Sequence, residues 1–142
     1  MSWWVYALAS AGFAAITAIL AKVGVEGVPS NLATAIRTFV VLLFASGIVV
    51  ATGEVRALAG VERRTLMFLV LSGLATGLSW LAYFRALQLA PASQVAPVDK
   101  LSVALTVIAG VVFLGEALTW RLAVGVGLII AGVLLTLPVP SP

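Results

Sequence analysis

Apolar runs long enough to cross a bilayer recur along the whole 142-residue chain, and that one feature decides what it can fold into. The stretch from Trp3 to Ala21 carries no charged side chain, and Asn31 to Thr52 carries only Arg37. Hydrophobic residues make up 63% of the chain and charged residues 9%, too few charges to cover a soluble domain of this size. Within hydrocarbon, backbone N–H and C=O groups must be bonded inside the protein, so only helices and closed barrels cross. These runs lack the strict apolar–polar alternation of barrel strands. The sequence therefore predicts an all-α integral membrane protein.

Five spans are predicted, over about 3–21, 31–52, 66–89, 92–114 and 118–137, in one transmembrane domain covering 1–142. Polar breaks separate them: Lys22 to Pro29, a charged loop with Glu54, Arg56, Glu62, Arg63 and Arg64, then Pro91 and the tight turn Gly115-Glu116. Pro29-Ser30 suits a helix entry, and Pro138, Pro140 and Pro142 would end the last span. The opening MSWWVYALAS lacks a basic segment and leads into a run of spanning length, so no removable leader is expected. Trp3, Trp4 and Trp120 stand at span ends, where an interfacial belt accounts for them.

An odd number of spans puts the termini on opposite sides. With the N-terminal side called X and the other Y, Arg56, Arg63, Arg64 and Arg121 lie near X, and Lys22 and Arg85 near Y. Four basic residues against two favour X as the cytoplasmic side, by a margin thin enough for a chain inserting both ways round.

The chain has no cysteine, which excludes disulfides, thiolate metal sites and cysteine nucleophiles. It has no histidine, the commonest general base and a frequent metal ligand. A net charge of +3, dispersed along the chain, gives no basic stripe for nucleic acid. No nucleophile–base pair or metal cluster is visible, so the chain does not read as an enzyme.

Three charges do fall inside predicted spans. Arg37 is roughly 9 Å from the Y end of the second span, and Asp99 and Lys100 are roughly 10–12 Å into the fourth, at 1.5 Å per residue. Both spans begin at Y, so all three share one half of the bilayer. A charge at a helix centre costs about 2.5–3.5 kcal/mol to insert, so these groups need partners or water. Neighbours on a helix point about 100° apart, so Asp99 and Lys100 are not expected to pair with each other. Asp99 is expected to pair with Arg37, leaving Lys100 for a wet cavity or a second acceptor, or snorkelling to the Y interface. Lys22, Arg37, Arg85 and Lys100 outnumber Glu26 and Asp99 near Y, which favours anionic or zwitterionic solutes.

Pro97 removes a helix hydrogen bond beside Asp99, in the manner of the broken helices that form transporter sites, unless it merely sits in the first turns. Trp80, Tyr83 and Phe84 share one face of the third span, either lining a cavity for a flat or amphipathic solute or simply packing. The candidate substrate-binding set is thus Arg37, Trp80, Tyr83, Asp99 and Lys100. Small residues at every fourth position permit close helix approach, in Ser10/Ala14/Ala18, Gly73/Gly77 and Ala123/Gly127/Ala131.

The stretch YFRALQLAPASQVAPVDKLSVALTVIAGVVFLGEALTWRLAVGVGLIIAGVLL, from Tyr83 to Leu135, resembles the second half of an EamA domain of the drug/metabolite transporter superfamily. The aromatic-rich end of one helix, the Ala/Ser-rich turn, Pro97, Glu116 after an apolar helix, and Gly125 and Gly132 carry the likeness. Arg37 in AIRTFVVLL resembles the arginine often found in the family's second helix. Longer members join two five-helix halves in inverted orientation into a ten-helix transporter. The resemblance thus implies half of that fold, completed by an antiparallel homodimer or by another half-size subunit. It implies transport of amino acids, other metabolites or drugs, with no catalytic residues and no required cofactor. Glu116 reads as structural, closing the turn and accepting from the amides that open the fifth helix.

The leading functional reading is a secondary transporter of small anionic or zwitterionic metabolites in the plasma membrane, working by alternating access. The alternatives are a flippase or flippase subunit for a lipid-linked polar group and a non-transporting membrane subunit.

Overall fold

The computed structural model describes residues 2–137; Pro138, Pro140 and Pro142 lie outside the described residues. Six α-helices and one 3₁₀ helix follow in order: α1 Trp3–Gly24, α2 Ser30–Ala51, the 3₁₀ helix Glu54–Gly60, α3 Arg63–Leu89, α4 Ala92–Asp99, α5 Leu101–Leu114 and α6 Trp120–Thr136. Two compact units result. One is Leu20–Leu89, where α2 packs along α3; the other joins the residues up to Ile19 with those from Ala90, where α6 packs on α5 and α4.

Most large apolar side chains face outward. Phe13, Phe44 and Phe113 are 71%, 71% and 83% exposed, while the buried set is short: Ala21, Val25, Phe84, Leu87, Ala104 and Val133. In water this distribution would be untenable; in hydrocarbon the outward faces are already solvated. α1 and α2, at 22 residues each, span about 33 Å, close to the hydrocarbon thickness of a bilayer. The chain is a multi-pass membrane protein.

Several threonine hydroxyls on the spans bond within their own helices. Thr34 donates to the Ser30 carbonyl at 2.9 Å, Thr38 to Thr34 at 2.8 Å, Thr76 to Ser72 at 2.9 Å and Thr106 to Ser102 at 2.8 Å. An unbonded hydroxyl in hydrocarbon would cost several kcal/mol, about 4–8 against an alkane reference.

Helix ends follow local chemistry. Pro29 and Pro91 stand extended immediately before α2 and α4, with φ of −56° and −61°. α3 starts at Arg63, ahead of the apolar run that begins at Leu66, and the charged segment before it winds into a 3₁₀ helix. α6 is shorter than the predicted fifth span: Thr119 is its N-cap, its hydroxyl accepting from the Leu122 amide at 3.3 Å, and the helix covers 17 residues.

The fourth span is two helices. α4 carries Pro97 in its interior, and the ladder gives way at Lys100, whose N–H donates to the Pro97 carbonyl at 3.0 Å. Val103 N–H in turn reaches the Lys100 carbonyl at 3.0 Å, so three-residue spacing replaces four at the junction. α5 then ends on Gly115 at φ 70°, and the Gly110 carbonyl accepts from the Gly115 and Glu116 amides, the latter at 3.1 Å. A side chain at Gly115 would be strained in this left-handed conformation. Gly115→Ala should therefore lower stability by about 1 kcal/mol. Gly47→Ala, mid-helix in α2 with no atom within 4 Å of its added carbon, should be neutral or mildly stabilising. Reversible unfolding in mixed micelles measures both, and equal effects would show that the turn geometry does not matter.

Candidate functional site

Arg37 lies two turns into α2 and faces α3. Its guanidinium carbon is 4.2 Å from the centre of the Trp80 ring and 5.5 Å from that of Phe84. Trp80 and Phe84 are four residues apart on α3, so one helical face presents both rings to one cation. Phe84 is buried; Arg37, Trp80 and Tyr83 are half-buried. Tyr83 meets Phe84 edge-on, with centroids 6.5 Å apart and planes at 65°.

Within this unit the surroundings of Arg37 are aromatic. A cation over an aromatic face gains about 2 kcal/mol when desolvated, less than the 2.5–3.5 kcal/mol or so that inserting the charge costs. The rings hold the guanidinium in place without cancelling its charge. They also leave its N–H donors for other acceptors, in the planar fork that suits a carboxylate.

In the other unit, Asp99 and Lys100 stand at the α4–α5 junction. The Lys100 ammonium is 3.4 Å from Asp99 Oδ2, with the side chains 55% and 38% exposed. This corrects the expectation that the two adjacent residues do not pair. Lys100 keeps near-helical backbone angles, φ −71° and ψ −8°, and its long, exposed stem reaches back to the carboxylate. The contact is long for a charge-assisted hydrogen bond, and half-exposed charges at such a break stay open to water or solute.

Glu116 is placed differently from expectation. The amides opening α6 are served by Thr119, while the Glu116 carboxylate folds back over α5: a carbon added at Gly110 would lie 2.6 Å from Glu116 Oε2. Gly110 leaves the space that the carboxylate occupies.

Phe84, the second ring under Arg37, was left out of the sequence-derived site. Its signal was present in the four-residue spacing from Trp80. Gln88 carried no sequence signal, yet it ties the end of α3 to the α1–α2 turn, Nε2 donating to the Val28 carbonyl at 2.7 Å. Among the described residues, no three His, Cys, Asp or Glu side chains gather to hold a metal ion.

Charged side chains thus stand on α2 and at the α4–α5 junction of an otherwise strongly apolar helical chain. The chain belongs to the EamA-like transporter family, whose pattern it matches over residues 1–137, and it is a membrane transporter. It is similar to a Sinorhizobium protein described as an uncharacterized transporter in the cobO 3′ region, with 54% identity over 134 residues, covering 94% of this chain and 95% of that one. No solved structure matches the chain.

The aromatic seat of Arg37 is open to a double-mutant cycle. Trp80→Leu should destabilise a protein that retains Arg37 by about 2 kcal/mol more than one carrying Arg37→Gln, with Trp80→Phe in between. Unfolding in mixed micelles reads the coupling, and additive effects would mean the ring does not hold the cation.

Proposed function

We propose that the protein is a secondary transporter of small amphipathic solutes bearing a carboxylate, anionic or zwitterionic, across the plasma membrane. The observation that carries this reading is the Arg37 guanidinium held over Trp80 at 4.2 Å, its charge fixed but not cancelled by rings. A solute carboxylate supplies what the rings lack, and an apolar solute body fits against Trp80 and Tyr83. Asp99 and Lys100, at the broken fourth span, are proposed as further solute-contacting groups. Pro97 makes that break possible, and Glu116 closes the following turn.

Alternating access needs a gate at each face. The five-span chain supplies it by assembling as an antiparallel dimer, most simply with a second copy, otherwise with another half-size subunit. The near balance of basic residues between X and Y supports insertion in both orientations. The Ala123, Gly127 and Ala131 face of α6 is the proposed close-packing contact; a carbon added at Gly127 meets no atom within 4 Å in the single chain.

Two measurements test the reading. In liposomes, a screen of labelled metabolites should find uptake of amphipathic carboxylates, reduced at least tenfold by Arg37→Gln and not restored by Arg37→Lys, because an ammonium lacks the planar fork. Robust transport of a quaternary ammonium compound indifferent to Arg37→Gln would overturn the substrate class. Since the chain has no cysteine, single cysteines at Ser2 and Glu26 can be labelled in intact cells without background. Each should react from both sides of the membrane in comparable fractions; strictly one-sided labelling would refute the antiparallel homodimer.

A further inference from the structure

A polar cavity that the proposed solute site does not use lies at the Y end of the Leu20–Leu89 unit. It measures about 330 Å³ and is lined by Lys22, Val25, Glu26, Arg85, Gln88 and Leu89. Its frame is built by hydrogen bonds. Lys22 Nζ donates to the Leu87 carbonyl at 2.6 Å, covering the end of α3. Gln88 Nε2 donates to the Val28 carbonyl at 2.7 Å and its Oε1 accepts from Arg85 Nη1 at 3.0 Å. The α1–α2 turn is thereby clasped to the last turn of α3, and Arg85 is oriented by the same amide.

The last carbonyls of a helix lack intrahelical partners, and Lys22, from the end of α1, serves one of those of α3. That does not explain Arg85. Arg85 is exposed, makes no ion pair among the described residues, and gives one N–H to Gln88 while the rest of its fork remains available. The cavity lies where α1 and α3 end, the position at which spanning helices meet lipid headgroups, and Leu89 in its wall is 72% exposed. Its charges are of both signs, Lys22 and Arg85 against Glu26.

We propose that this cavity binds the headgroup of an aminophospholipid. The phosphate lies on the Arg85 fork and the Lys22 ammonium, and the primary ammonium of the headgroup is received by the Glu26 carboxylate. A choline headgroup carries the same charges, but its methyl groups cannot donate to Glu26. A glycerol headgroup lacks the positive charge that Glu26 selects.

Native mass spectrometry of the purified protein, with phosphatidylethanolamine, phosphatidylglycerol and phosphatidylcholine in competition, tests this. The wild type should retain phosphatidylethanolamine about fivefold over the other two. Arg85→Gln should abolish that retention, Arg85→Lys should keep part of it, and Glu26→Gln should turn the preference toward phosphatidylglycerol. Lys22 is left intact because it also covers the end of α3, and helical circular dichroism checks that each variant folds. Equal retention of all three lipids, or an Arg85→Gln protein retaining lipid like the wild type, would overturn the proposal. So would release of bound lipid by millimolar glycerophosphoethanolamine, which would make a soluble phosphate compound the ligand.

Discussion

Hydrocarbon offers no hydrogen-bond partner, and the helices, threonines and helix ends of this chain meet that constraint internally. The backbone meets it by forming helices of about bilayer length. Threonine hydroxyls meet it by bonding the carbonyl one turn back, as Thr34, Thr38, Thr76 and Thr106 do. Helix ends meet it with residues that need no lipid-facing donor: a proline before α2 and α4, Thr119 before α6, and the Gly115 turn that returns two amides to one carbonyl. Departures from regular helix are confined to the span ends and to one place in the fourth span, where Pro97 precedes the Lys100 turn.

Charge is handled in two different ways. Arg37 is set against aromatic faces, which attract a cation without competing for its N–H donors. Asp99 and Lys100 are placed at a break in the ladder, where a loose 3.4 Å contact and substantial exposure keep both reachable. Stability alone would favour apolar side chains at these depths, since each buried charge costs several kcal/mol. The proposed solute role of these residues rests on their being incompletely neutralised in a chain of a transporter family.

The Y end of the Leu20–Leu89 unit shows how a small membrane domain fixes a turn without a large core. Few side chains there are fully buried, Leu87 and Val25 among them. Polar side chains supply the rest of the order: Lys22 to the end of α3, Gln88 to the α1–α2 turn, Arg85 to Gln88. Such bonds hold well at the interface, where the polar groups are part-hydrated and the carbonyls they serve would otherwise be exposed helix ends.

The sequence by itself determined the class of fold, because the length and apolarity of its runs leave a bilayer-spanning chain no alternative to helices. It also placed Arg37 within the second apolar run and Asp99 and Lys100 within the fourth, and it put Trp80 and Phe84 four residues apart on one helix. What it could not give was the partner of each charge. That Arg37 would lie on Trp80 and Phe84 depends on how α2 and α3 are rotated against each other, which composition does not encode in hydrophobic spans with weak amphipathicity. Asp99 meets Lys100, loosely, because a long exposed lysine stem can reach round the helix, which a count of 100° per residue conceals. Likewise Thr119, not Glu116, caps α6, because the turn after Gly115 sends the glutamate back over Gly110. Position along one helix follows from the sequence, whereas contact follows from the packing of two, and only the tertiary structure sets the second.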